Sequence, residues 1–150
     1  MATPITEFYH QMVLEVETAT PGTFAKICGL KGVTIQRATQ IDSNEVPADC
    51  VDESLPYRTE KSVRALNVTV SAQDAVWAQQ SHGMLMDWYY SGAAKNIRVG
   101  HLNAAVGDTE YEAGPAYLTQ LDDSRVKGPK NARAIQIEFD GTPTRTDKAA

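Results

Sequence analysis

The stretch YRTEKSVRALNVTVS, residues 57–71, indicates the fold class of this 150-residue chain. Its second half alternates apolar with polar residues: Leu66, Val68 and Val70 against Asn67, Thr69 and Ser71. This alternation is typical of a β-strand with one face in a core. Residues 57–71 would extend about 50 Å at ~3.3 Å per residue, which is longer than most strands. We therefore predict a bulge or bend near Ala65 and a sheet that extends beyond one subunit.

Shorter runs on both sides of this stretch also have a strand pattern. We predict strands at residues 10–17, 24–30, 33–41, 95–102, 116–121 and 132–140. Turn signals separate them at residues 20–23, 107–108 and 128–129. The length and composition predict a single domain over residues 1–150, a mainly antiparallel β-sandwich or barrel with one helix. Residues 142–150 have little apolar surface to bury, and we predict a mobile C-terminal tail.

The one predicted helix follows the long strand. Ser71 could cap it, and Asp74 lies near its N-terminal end. Its apolar stripe, at a spacing of three to four residues, contains Trp77, Met84, Leu85 and Trp88, with Ser81 between them. An aromatic stripe of this kind could line a ligand site, but a helix that packs on a sheet requires one anyway. We therefore predict that Trp77, Met84, Leu85 and Trp88 form the core between helix and sheet.

Residues 42–56 account for the whole net charge of −5. The segment has five acidic residues and no Lys or Arg, and the rest of the chain carries 14 charges of each sign. The acidic residues are Asp42, Glu45, Asp49, Asp52 and Glu53. A long segment without a helix or strand pattern is uncommon in a compact domain unless it is functional or disordered. We predict a loop at 42–56 that docks on a partner through these five carboxylates.

The sequence gives no sign of a catalytic, metal or cofactor site. His10, His82 and His101 are scattered along the chain. Cys28 and Cys50 lack the spacing of a zinc site, and we predict that both are free thiols. There is no nucleophile with a base, no carboxylate pair in a motif and no phosphate-binding glycine loop. We expect a protein that is not an enzyme and that binds no cofactor or metal.

The composition also restricts the partners. An acidic balance with a sequence pI of about 5.1 gives no overall positive charge for gripping nucleic acid. No run approaches the roughly 20 apolar residues that a membrane span needs, so we expect no membrane insertion. The first seven residues lack the basic and apolar regions of a secretory signal. We expect synthesis and folding in the cytoplasm.

Two motifs carry a resemblance to a known family. The run PGTFAKICGL (residues 21–30), followed by a strand containing Ile35, and the segment VPADCVD (residues 46–52) resemble the N-terminal half of major tail tube proteins. These proteins belong to long-tailed phages and phage-derived gene transfer agents. A long strand, one helix, a hairpin and a last strand ending in DGTP (residues 140–143) follow in the same order. The resemblance covers about residues 8–143.

This resemblance implies a structural virion protein, made in the cytoplasm of a bacterial host. It implies a β-sandwich with a flanking helix, whose copies form homohexameric rings in which one sheet of each subunit closes a continuous barrel. Stacked rings would form the tail tube, through which DNA passes transiently to the host cell. The implied partners are further copies, the tail terminator, the baseplate or distal tail protein, and the tape measure. The acidic loop at 42–56 would reach the neighbouring ring.

Two other classes of protein stay open. A ring-forming secretion-system tube protein of the Hcp type has the same architecture. A monomeric ligand-binding β-sandwich would instead have a pocket lined by aromatic side chains. One feature of the residues favours a conduit for DNA, because strands with Asn, Thr, Ser, Glu and Asp on one face would form a neutral-to-acidic wall. DNA would bind tightly to a basic wall and would not pass along it.

Overall fold

The computed structural model describes residues 2–150, which form one mainly antiparallel β fold with a single α-helix, as predicted. The strands and the helix are, in order, β1 (Met12–Glu17), β2 (Phe24–Lys26), β3 (Thr34–Val46), β4 (Arg58–Val76), α1 (Gln79–Ser91), β5 (Lys95–His101), β6 (Thr109–Ser124), β7 (Ala132–Phe139) and β8 (Thr144–Asp147). A short 3-10 turn, Tyr9–Gln11, precedes β1. No helix in the described residues has the length and apolar character needed to cross a bilayer.

All strands belong to one sheet with the order β2-β1-β5-β6-β7-β4-β3, in which every pairing is antiparallel. The last strand, β8, also pairs with β6, on residues 109–113, whereas β7 pairs with residues 116–124. Strands β7 and β8 therefore follow each other along β6. Because β4 pairs with β7 and not with β8, the sheet opens into a cleft beyond the end of β7.

The two halves of the sheet share one hydrophobic core. Its buried side chains include Leu14, Val16, Ile97 and Val99 from β1 and β5, and Val70, Leu118, Ile135 and Ile137 from β4, β6 and β7. Strand β7 shows why the chain folds this way, because Ile135 and Ile137 are buried at alternate positions. An isolated bridge between Leu30 and Ala75 joins the segment after β2 to the end of β4. The sheet thus folds over on itself as a sandwich.

Helix α1 covers one side of this core. Leu85 and Trp88, three residues apart, are fully buried in the core, and Met84 packs against it. The helix ends at Gly92, whose φ of 64° is a left-handed conformation that glycine adopts without a steric penalty.

The predicted start of the helix is wrong. Strand β4 continues to Val76, so Ser71 and Asp74 are strand residues and the N-cap position is Ala78. Trp77 lies before the helix and is 40% exposed, so it is not part of the core between helix and sheet.

The predicted bulge in the long strand is confirmed. Gln40 of β3 lies opposite Ala65, and the next residue, Ile41, lies opposite Val63. Arg64 is therefore the extra residue on β4. The bulge lets a strand of 19 residues bend while it keeps its pairing with β3.

Two irregular segments predicted from the sequence are partly strands. Asp42 and Glu45 belong to β3, where they lie opposite Ser62 and Thr59, so the connecting loop is only residues 47–57. Residues 144–147 form β8, and the Lys148 amide donates to the Asp108 carbonyl at 2.8 Å. The prediction of a loop is therefore wrong for residues 42–46, and the prediction of a mobile tail is wrong for residues 144–147. Backbone hydrogen bonds to a neighbouring strand order both segments, although they bury few side chains.

Candidate assembly surfaces

A long hairpin extends from the body of the protein. We call it the arm and define it as residues 36–46 of β3 and 58–67 of β4. Strand β7 pairs with β4 only between Thr69 and Val76, so within residues 2–150 the arm is a ribbon of two strands. Nearly all of its side chains are exposed. An isolated two-stranded ribbon is marginally stable in water, and the part of the arm furthest from the body gains no support from a third strand of the described chain.

One face of the arm carries three apolar side chains in the half nearer the body, whereas the outer residues of that face, such as Glu45 and Lys61, are polar. Ile41 and Val63 lie directly opposite each other, and Leu66, opposite Thr39, lies two pairs closer to the body. They share a face with Val68 and Val70, which are buried in the body. Ile41, Val63 and Leu66 are 53%, 62% and 48% exposed. We call these three residues the apolar stripe. They extend the face of the hairpin that packs in the core, but they lie beyond the described residues that cover that face.

The opposite face of the arm is polar. It carries Gln36, Gln40, Asp42 and Asn44 from β3, and Glu60, Ser62 and Asn67 from β4. Its two arginines have carboxylate partners, since Arg58 lies 2.8 Å from Glu60 and Arg64 lies 3.7 Å from Asp42. This face therefore has little positive charge to offer a polyanion.

An ion pair joins the base of the arm to the body. Arg37 of β3 binds both carboxylate oxygens of Glu112 on β6, with its Nε 3.2 Å from Oε2. Glu112 is buried, and the His101 Nε2 atom lies 4.0 Å from its Oε1 atom. These side chains and Arg145 line the cleft of about 710 Å³ between the arm and β8. Because a buried carboxylate needs a charged partner, this pair helps to hold the arm in position.

Hydrogen bonds from its own carboxylates shape the loop at the end of the arm, residues 47–57, which we call the tip. Asp49 accepts a hydrogen bond from the Val51 amide at 2.9 Å. Asp52 accepts from both the hydroxyl and the amide of Ser54, and these bonds hold the pKa of Asp52 below its usual value. Asp49 and Asp52 thus have a local role in the turn, whatever else the tip contacts.

The structure separates the five candidate contact residues into groups. Asp49, Asp52 and Glu53 lie in the tip, and Glu45 lies at the adjacent end of β3. Asp42 lies further along the arm and is paired with Arg64. Glu45 and Glu53 take part in none of the side-chain hydrogen bonds or ion pairs found in residues 2–150. Both side chains are therefore available to a partner.

Positive charge collects at the other end of β4. The turn between β6 and β7, residues 125–131, carries Arg125, Lys127 and Lys130 and no acidic residue. Lys31 lies beside it, since Lys31, Val126 and Lys130 line the same cleft. We call Lys31, Arg125, Lys127 and Lys130 the basic end. The sequence interpretation treated this segment as a turn only, although the run RVKGPK showed its charge.

A buried arginine links the last turns of the sheet to the helix. Arg133 of β7 donates from Nε to Asp123 Oδ1 at 2.7 Å, and its Nη2 atom lies 3.1 Å from His82 Nδ1. The Trp77 indole Nε1 also lies 3.1 Å from this His82 nitrogen. This network explains the position of Trp77 outside the core. The hydrogen bonds from Arg133 lower the pKa of Asp123.

We expect Asp123→Asn to destabilise the protein by about 1–3 kcal/mol at pH 7, because it leaves the buried Arg133 without its charged partner. The Asp123 side chain is 43% exposed, and solvent screening keeps the loss below that of a fully buried pair. Since folding lowers the pKa of Asp123, the pair contributes its full stability above the unfolded value near 3.8 and loses it as the pH falls further.

Urea unfolding at pH 7 and at about pH 3 checks this prediction. Asp122→Asn is the matched control, because Asp122 is an exposed neighbour on β6. Similar losses for Asp122→Asn and Asp123→Asn at pH 7, or a difference that persists unchanged at low pH, would exclude the stabilising pair.

Both cysteines are exposed. Cys28 and Cys50 form no disulfide in residues 2–150. That part of the chain also contains no group of three His, Cys, Asp or Glu residues arranged to hold a metal ion.

Comparisons with known proteins agree with the resemblance noted in the sequence. A family profile described as phage tail tube protein matches residues 10–145. The fold is similar to a structure described as the tail of an empty gene transfer agent particle with C6 symmetry, with a TM-score of 0.75 and 12% identity. That similarity covers 94% of this chain and 99% of the other. No curated protein matches the sequence.

Two further solved structures share the fold. A chain from the virion of a native gene transfer agent has a TM-score of 0.69, and the coverage is again 94% of this chain and 99% of the other. A chain from the SPP1 tail tube has a TM-score of 0.63, with coverage of 97% and 81%. The identity is 12% in both cases, so these similarities establish the fold.

Proposed function

Since the chain belongs to the phage tail tube protein family, we propose that it is the structural subunit of a virion tail tube. Six copies form a ring, the rings stack into a tube, and DNA passes through the lumen from the head to the host cell. The C6 symmetry of the similar gene transfer agent tail supports the sixfold ring. The role is mechanical and requires no catalytic step.

The arm is the observation that carries this proposal. Its apolar stripe is exposed. Two strand edges also have no partner strand in residues 2–150: the outer edge of β3, and the edge of β4 between Arg58 and Val68. Uncovered apolar surface and free strand edges promote association with further chains. In the ring, the neighbouring copy covers the stripe, and the sheets of adjacent copies join into a continuous barrel.

The polar face of the arm lines the lumen in this arrangement. Duplex DNA carries one negative charge per ~1.7 Å of its axis and binds tightly to surfaces with unpaired Lys and Arg. Arg58 and Arg64 are paired with carboxylates on this face, which leaves a wall close to neutral. DNA can therefore move along the wall without strong retention.

The tip makes the contact with the neighbouring ring. Asp42, Glu45, Asp49, Asp52 and Glu53 are the contact candidates, and the exposed end of the arm supports this assignment for the last four. At the ends of the tube, the rings contact the tail terminator on one side and the baseplate or distal tail protein on the other. The tape measure protein occupies the lumen before DNA is released.

Size-exclusion chromatography with light scattering, followed by negative-stain microscopy, tests the proposal. Over a range of protein and salt concentrations, we expect a species of roughly six times the subunit mass of 16.4 kDa, together with longer tubes. A strict monomer at high concentration with no rings or tubes would refute the proposed function.

A further inference from the structure

The acidic tip and the basic end lie at opposite ends of one long strand. The tip connects to Arg58 at the start of β4, and the basic end adjoins Val76 at its end. The 19 residues of β4 span roughly 60 Å at ~3.3 Å per residue. The two surfaces of a single chain therefore cannot touch each other, and their opposite charges can meet only between copies.

The basic end has a cleft that suits a loop. A cavity of about 320 Å³ is lined by Lys31, Lys130, Val126, Pro129 and Asp74, among others. Val126 presents an exposed apolar side chain between the cations. The tip has the complementary pattern, because the exposed Val51 lies between Asp49 and Asp52 and the exposed Leu55 follows Glu53. Apolar contact at the centre with opposite charges around it is the usual organisation of a specific interface.

The cations of the basic end are also free to accept a partner. The arginines engaged with carboxylates inside the chain are Arg37, Arg58, Arg64, Arg98 and Arg133. None of the four residues of the basic end forms a salt bridge within residues 2–150. Asp74 and Asp122 are the nearby acids outside the Asp123–Arg133 pair, so the basic end keeps a net positive charge.

We propose that the tip of each subunit docks into the basic cleft of a second copy in the next ring. This inference rests on the proposed function and assigns the receptor for the acidic tip. When two different surfaces of identical subunits bind each other along one axis, each new copy leaves one free surface of each kind. Such a contact therefore generates an open stack. Every ring then presents acidic tips on one side and basic clefts on the other. Stacking in a single direction follows, because two like sides repel.

Charge reversal on each surface tests the docking. The cleft variant is Lys127→Glu with Lys130→Glu, and the tip variant is Glu45→Lys with Glu53→Lys, which keeps the Asp49 and Asp52 hydrogen bonds of the turn. We expect each variant alone to form rings and to lose roughly tenfold or more of the tube mass that sediments. In the cleft variant, both surfaces lose their charge complementarity because the native acidic tip faces introduced glutamates. In the tip variant, the tip has no net charge left to attract the basic end.

Mixing gives the decisive result. In an equimolar mixture, the native tip of the cleft variant meets the native basic end of the tip variant, and the lysines introduced in the tip variant meet the glutamates introduced in the cleft variant. Both contacts then pair opposite charges, so the mixture should recover tubes of alternating rings. A single chain with all four substitutions should also form tubes by itself. This recovery distinguishes a broken interface from a misfolded subunit, because a misfolded subunit would not be rescued.

A control variant, Lys26→Glu with Lys95→Glu, makes the same change in net charge as the cleft variant, but on β2 and β5, and should assemble like the wild type. If the wild type and both charge-reversed variants all form normal tubes, the docking proposal is overturned and the proposed function stays intact. Tube loss that neither the mixture nor the fourfold variant restores would also overturn it. A wild type without rings or tubes would overturn the proposed function itself.

Discussion

Replacing Trp88 with alanine is expected to lower the free energy of unfolding by about 3–5 kcal/mol. The indole is buried at the centre of the contact between α1 and the sheet, beside Leu85. Its Nε1 also donates to the carbonyl of Ala93 at 3.0 Å, just after the end of the helix. The substitution therefore leaves a cavity and removes the donor that satisfies this carbonyl.

Thermal unfolding with and without the substitution measures this effect, and for a domain of this size we expect the melting temperature to fall by about 10 °C. Trp77→Ala is the matched control, because Trp77 precedes the same helix and is 40% exposed. It loses one hydrogen bond, to His82, and should cost about 1 kcal/mol. An unchanged melting temperature for Trp88→Ala, with assembly lost, would instead place Trp88 in a contact between subunits.

The strands that bury one face could be predicted from the sequence. In β7, Ile135 and Ile137 alternate with polar residues. This pattern predicted a strand at residues 132–140, and the observed strand ends one residue earlier, at Phe139. The bulge near Ala65 was predictable for a different reason. A strand much longer than the core it crosses must bend, and one extra residue achieves this without loss of pairing.

The start of the helix was mispredicted because a second bulge disturbs the alternation that would have marked residues 72–76 as strand. The pairing of β4 with β7 shifts register between Ala72 and Ala75. Both residues are buried although they are three apart, which is the spacing of a helix face and not of a regular strand. The sequence prediction used Ser71 as a cap, Asp74 near the N-terminus and Trp77 as the first residue of the stripe, and the strand spacing of residues 72–76 gave no signal against it.

Strands that bury no side chains in the monomer have no hydrophobic pattern to detect. Residues 42–46 are polar on both faces apart from Val46, because the arm projects into solvent. The four residues of β8 are polar as well, and backbone bonds to β6 hold them. The acidic residues of the tip were visible in the composition. Their counterpart at the basic end could be recognised only after the topology placed the two at opposite ends of β4.

The second large effect is expected for the apolar stripe. Ile41→Thr with Val63→Thr keeps two β-branched residues in the arm, so its strands should persist. Both positions are more than half exposed in the monomer, and we expect a change of the melting temperature of no more than a few degrees. In the ring, each interface would lose the burial of two partly exposed side chains, at a cost of about 2 kcal/mol.

That cost corresponds to roughly thirtyfold weaker association at each contact, and a closed ring of six requires every contact at once. The variant should therefore elute as a folded monomer at concentrations where the wild type forms rings, as measured by light scattering after size exclusion. Ile5→Thr with Val106→Thr is the matched control, since these two substitutions are chemically the same and lie at exposed positions outside the arm. If the control and the stripe variant form rings equally well, the stripe is an exposed surface that no neighbouring copy covers, and the contact that closes the ring must lie on another part of the sheet.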